Sequence, residues 1–238
     1  MFIWRGEYNQ LECYNTSMTY QELEKHLFEI RDLKFASFSK SLSNSDYTSI
    51  GVKNPVLKSL VKEHVKDKEL VLEDFDLGKY LEVDYLYFAL AISRCRHNKE
   101  QLDFLENNIH KAKSWAVTDA ISTYIKKLNF EDFWNFFLIN NNSKYTYSRR
   151  MSYVLGLKLY KDERILQTLS YIKGNEEYMV MMAEAWLLAT IAISHPNSIY
   201  DYLSKCHDLT LKRKTISKIS DSFRFDAETK QKFKSLRN

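Results

Sequence analysis

Apolar residues return every three to four positions along most of this chain, the spacing that gathers them on one face of a helix. Leu23, Leu27 and Ile30 predict a first helix between Thr19 and Arg31, and Phe35, Phe38 and Leu42 a short second one, after which Ser43 to Ser49 breaks the pattern. A turn glycine, Gly51, is followed by Asn54, suited to an N-cap, and Pro55, suited to the first helical position. A third helix is therefore expected to start there, with Leu57, Leu60, Val61 and Val65 on its apolar side. The same reading predicts further helices at about 69–75, 83–97, 98–111, 114–127, 131–140, 145–160, 162–172, 176–194, 198–205, 209–222 and 227–236. Short joins separate them, and no segment alternates apolar and polar residues as a strand does.

Composition sharpens this picture. With only 5 Gly and 2 Pro in 238 residues, the chain has little punctuation for the many turns of an all-β fold. A dozen or so short helices with tight joins are what an all-α solenoid of HEAT-like antiparallel pairs looks like, its stacked pairs enclosing a concave groove. No clean internal repeat is present, so this expectation rests on helix length and order. Residues 19–238 are read as one repeat domain and residues 1–18, with Trp4, Tyr8 and Tyr14, as an irregular N-terminal arm. That arm lacks the basic and apolar regions of a secretory signal. The most apolar stretch, Tyr178 to Ile193, is interrupted by Glu184 and too short to span a membrane. Cys13, Cys95 and Cys206 are widely spaced and form no metal pattern, which suits reduced thiols in a cytoplasmic protein.

Charge and candidate chemistry come next. Lys plus Arg exceed Asp plus Glu by 35 to 31, a net charge of +4 that permits phosphate partners without demanding them. In Lys113-Ser-Trp-Ala-Val-Thr-Asp119, Ser114 can cap a helix on which Trp115 and Asp119 share one face, four residues apart. Lining a groove, the pair would offer an aromatic plane and a carboxylate to a cationic ligand; buried, it would be a core ring and an ion-paired acid. Arg149 and Arg150 suit either phosphate contact or an ion pair to a neighbouring helix. Trp186, mid-helix among apolar residues, reads as core on its own. Lys212, Arg213, Lys214 and Lys218 form a basic cluster, either a solvated face or a phosphate track. The six histidines form no metal-binding spacing, and Gly-rich phosphate loops and GxSxG elbows are absent.

The ordered segments Ile50-Gly-Val-Lys-Asn-Pro-Val-Leu-Lys, Lys113-Ser-Trp-Ala-Val-Thr-Asp119, Arg150-Met-Ser-Tyr-Val-Leu and Tyr178-Met-Val-Met-Met-Ala-Glu-Ala-Trp186-Leu-Leu together resemble the AlkD-like DNA alkylation repair family. The resemblance covers about Thr19 to Arg237. It implies a monomeric HEAT-like solenoid that holds duplex DNA in a basic groove and excises cationic N3- or N7-alkylpurines without metal or other cofactor. Asp119 takes the catalytic position, Trp115, Trp186 and Phe38 the lesion-contacting positions, and Arg150 the phosphate-contacting position, with Arg149, Lys212, Arg213, Lys214 and Lys218 as further phosphate contacts. A cationic purine leaves as a neutral base, so the carboxylate's task would be to oppose the oxocarbenium-like sugar and orient water. The chain departs from active members at Met182, where they carry a lysine, and at Ala189 and Thr190. Its Phe35–Leu42 helix holds only Lys34 and Lys40 nearby as bases. These departures resemble a paralogous branch, which implies the alternative of a non-catalytic binder of DNA structures or of a protein.

Overall fold

A computed structural model of the chain describes residues 17–43, 47–172, 174 and 177–237. Most of the proposed N-terminal arm, including Trp4, Tyr8, Cys13 and Tyr14, lies outside them. Twelve α-helices follow one another among the described residues: α1 (Tyr20–Glu29), α2 (Leu33–Ser43), α3 (Asn54–His64), α4 (Leu81–Arg94), α5 (Asn98–Asn108), α6 (Trp115–Ile121), α7 (Phe130–Asn141), α8 (Thr146–Gly156), α9 (Tyr178–Ile191), α10 (Pro196–Ser204), α11 (Leu209–Asp221) and α12 (Ala227–Lys234). The one extended pairing described is an isolated parallel bridge between Thr48 and Tyr80.

The helices stack as an α-solenoid. An inner row runs α4, α6, α8, α9, α11, each packed on the next, while α3, α7, α10 and α12 lie against α4, α8, α9 and α11, and α5 spans α4 and α7. The inner helices α4 and α9 are apolar nearly all round, with Leu86, Phe88, Leu90 and Ile92 on the first and Val180, Leu187, Leu188 and Ile191 on the second fully enclosed. Helices that are apolar on every side belong in the middle of a stack.

Sequence-encoded caps set several boundaries. Thr19 and Glu22 close a capping box on α1, the Thr19 hydroxyl accepting from the Glu22 N–H and the Glu22 carboxylate from the Thr19 N–H. The third helix begins one residue earlier than its signal suggests: Lys53 is the N-cap without a side-chain bond, and Asn54 is already helical ahead of Pro55. The predicted 69–75 helix is a single 3-10 turn, Leu72–Asp74, and the predicted 162–172 helix is a 3-10 run, Glu163–Ser170, started by Asp162. Helix α6 ends at Ile121 and tightens into a 3-10 turn, because the hydroxyls of Thr118, Ser122 and Thr123 each donate to the carbonyl three residues back.

One polar group in this core is poorly matched to its surroundings. Glu184, in the middle of α9, is 2% exposed; Tyr153 donates to it, but its Oε2 has no partner among the described residues. Burial pushes its carboxyl up to about 7, against smaller lowering by Tyr153 and Arg149. The folded state therefore holds this proton to higher pH than the unfolded chain does, and stability falls as pH rises from about 4.5 to about 7. Glu184→Gln is expected to leave stability near pH 4.5 unchanged and to raise it above pH 7 by about 2–3 kcal/mol. Urea midpoints at both pH values check this, and parallel curves for the two proteins would contradict it.

Candidate functional site

The cleft is built by four consecutive inner helices. Trp115 and Asp119 lie one turn apart on α6, whose first turn is capped by Ser114 accepting from the Ala116 N–H at 3.2 Å. Tyr178, Met182 and Trp186 follow at four-residue intervals on one face of α9, and Lys218 stands on α11. With Arg150 of α8, Met179 and Leu42 of α2, these residues enclose a cleft of about 440 Å³. The Trp115 indole N–H donates to the Leu42 carbonyl at 3.3 Å, which fixes the ring at the α2 side of the cleft.

Asp119 and Arg150 form a fork. Arg150 Nε donates to Asp119 Oδ1 at 2.9 Å and Nη2 to Oδ2 at 2.7 Å, while Nη1 donates to the Met179 carbonyl at 2.6 Å. Two parallel charge-assisted bonds hold the carboxylate in one orientation. The side chains are 6% exposed for Arg150 and 17% for Asp119, so the carboxylate is the more open of the two toward the cleft. Oδ1 also lies 3.3 Å from the Thr118 hydroxyl, whereas Oδ2 retains acceptor capacity after the fork is made. Across the cleft Lys218 Nζ lies 5.8 Å from the centroid of the Trp186 ring, and Lys214 Nζ 5.7 Å from that of Tyr178. Burial, and then the Arg150 charge, push the Lys218 ammonium below the ordinary lysine range.

The sequence-predicted residues thus divide. Trp115, Asp119, Arg150, Trp186 and Lys218 meet in one cleft, although they come from four helices. Phe38, 58% exposed on α2, lines an adjoining groove of about 390 Å³ that shares Leu42, Trp115 and Asp119 with the cleft. Lys214 stands beside Tyr178, and Arg213 is exposed on α11. Two residues are placed otherwise. Arg149 donates to the Ser143 carbonyl at 2.7 Å and pairs with Glu177, and it does not line the cleft. Lys212 is 8% exposed, buried beside Cys206. Tyr178 and Met182 are cleft residues that sequence reasoning left unassigned, though their spacing with Trp186 was a signal.

Among the described residues, no group of three or more His, Cys, Asp or Glu side chains is placed to hold a metal ion, and no helix is long and apolar enough to cross a membrane. Cys95 and Cys206 are unbridged, and burial pushes both thiols up.

The fold is an all-helical solenoid with a carboxylate and two tryptophans lining one inner cleft. The chain belongs to the DNA alkylation repair enzyme family, which it matches over residues 21–220. Comparisons with curated proteins and with solved structures return no match.

Proposed function

We propose that the cleft excises cationic N3- or N7-alkylpurines from duplex DNA by breaking the glycosidic bond. The observation that carries this reading is Asp119, held in one orientation by Arg150 in the cleft that Trp115 and Trp186 also line, with part of its carboxylate open to that cleft. A purine alkylated at N3 or N7 is already positively charged and departs neutral, so no general acid is needed on the base. Positive charge then grows on the sugar, where a fixed carboxylate lowers the barrier and orients the water that attacks C1′. The tryptophan faces suit a cationic nucleotide, and Lys218 and Lys214 suit its flanking phosphates. Arg150, engaged through three nitrogens, acts here as a positioning residue for Asp119.

The second reading, a helical-repeat protein that binds DNA without excision, is favoured by one observation. Both Asp119 oxygens already accept from a guanidinium, whose charge offsets the one the sugar would need. Incubating methylated duplex DNA with the protein and separating freed bases by chromatography distinguishes the two. Release that is lost in Asp119→Asn with DNA affinity retained supports excision; affinity without release supports the binder.

A further inference from the structure

Beyond the cleft, a groove of about 720 Å³ opens between α3, the end of α4 and the segment after α6. Lys58 and Lys62 enter it one turn apart from α3, Arg96 from the end of α4, and Lys126 and Lys127 from the segment after the α6 turn. Five cations from three separate elements converge on one groove, and no carboxylate lines it. All five are exposed, and among the described residues none of their charged groups makes an ion pair or a hydrogen bond. The Glu100 carboxylate accepts from the Arg96 backbone N–H and does not line the groove; the gathered cations repel one another in the free protein, and a bound polyanion relieves that repulsion.

The groove adjoins the site through a third one. It shares Lys58 and Thr123 with the Phe38 groove, which in turn shares Trp115 and Asp119 with the cleft. From Trp115 to Thr123, along α6 and the 3-10 turn that follows it, the chain advances about 13 Å, or about four base pairs at their axial spacing. We infer that the Lys58, Lys62, Arg96, Lys126 and Lys127 groove is a second phosphodiester site, taking the duplex backbone a few nucleotides away from the one in the cleft. This rests on the reading of the cleft as a DNA site. It supplies positive charge on the α3 side, away from Lys214 and Lys218, so the two sites hold the duplex at two points and fix its register over Asp119.

The test is the affinity of the full chain for a duplex of about twenty base pairs across a salt series. The proteins compared are wild type, the quadruple variant K58Q/K62Q/K126Q/K127Q, and Lys218→Ala. Each released counterion contributes about 0.9 to the slope of log affinity against log salt. The quadruple variant is expected to bind at least about tenfold more weakly at 50 mM salt, with the slope reduced by about three. Melting at or slightly above the wild-type temperature is expected, since the four lysines are exposed and their mutual repulsion is removed; K126E/K127E reads the same site with fewer changes. Wild-type affinity and slope in both groove variants, with Lys218→Ala weakened, would overturn the second site and leave the cleft reading standing. No duplex binding by wild type would overturn both. Loss of inorganic tripolyphosphate binding with duplex binding intact would also overturn it, marking a site for small phosphate compounds.

Discussion

Arg150→Ala is expected to lower both the melting temperature and base release. The guanidinium makes two bonds to Asp119 and one to the Met179 carbonyl, tying α6, α8 and the first turn of α9 together where they meet. Removing it leaves a largely buried carboxylate without its paired charge, with only the more distant Lys218 ammonium nearby, and a backbone carbonyl without one of its donors. Breaking a buried pair costs about 3–5 kcal/mol, and the partial exposure of Asp119 places this one near the lower end, about 3 kcal/mol. For a chain of this length the melting temperature should fall by about 6–12 °C. Base release should fall by about a hundredfold, the usual penalty for a misplaced reacting group. Arg150→Lys keeps the charge but not the fork, and should lie between wild type and alanine. In the Arg150→Ala background, Asp119→Asn should restore part of the lost stability, because it removes the uncompensated charge. A melting temperature within about 2 °C of wild type in Arg150→Ala would contradict the account of the pair.

Glu82→Ala should be at least as damaging to the fold. This carboxylate, on α4 and wholly buried, accepts from the Ser49 hydroxyl at 2.8 Å and from the N–H groups of Ile50, Gly51 and Val52 at 2.9, 2.8 and 3.2 Å. One side chain thus satisfies three consecutive N–H groups and a hydroxyl in the turn ahead of α3. Gly51 adopts φ +104°, and its carbonyl accepts from the Asp32 N–H, so the same turn also anchors the start of α2. A Cβ at Gly51 would lie 2.3 Å from the Asp32 carbonyl oxygen, which leaves glycine as the residue that fits. Alanine at position 82 strands three buried N–H donors at about 1–3 kcal/mol each, for a total of about 4 kcal/mol or more. The urea midpoint measures this directly, and a loss below about 1 kcal/mol would mean the turn finds other acceptors. Glu82→Gln keeps one acceptor oxygen but turns a donor toward the turn, and should recover only part of the loss.

The helical architecture was legible because it rests on local information: apolar spacing, scarcity of glycine, and caps such as Thr19 and Ser114. Trp115 with Asp119 was legible as a shared face for the same reason, while the equal spacing of Tyr178, Met182 and Trp186 went unread. What was not legible depends on how the helices stack. Nothing in the spacing of Asp119 and Arg150, 31 residues apart, says that they meet as a fork. Nor does any run of residues announce a basic groove assembled from positions 58, 62, 96, 126 and 127. The conspicuous run Lys212-Arg213-Lys214 is divided by the helix it lies on. Consecutive helical residues point about 100° apart, so three in a row cannot share one face. Lys212 accordingly turns inward while Arg213 stays in solvent and Lys214 reaches Tyr178. The 3-10 ends of α6 and the 163–170 segment escaped the pattern because a 3-10 turn keeps much the same apolar spacing as an α-helix.

The central claim is that Asp119 drives loss of the base. It is tested most directly by the single-turnover rate of alkylpurine release from methylated duplex DNA under saturating protein, for wild type and Asp119→Asn side by side. The amide keeps the shape of the carboxylate and loses its charge, so a rate lower by about a hundredfold or more, at similar DNA affinity, is the predicted result. Equal rates for the two proteins, or no release by folded wild type that binds the duplex, would contradict it.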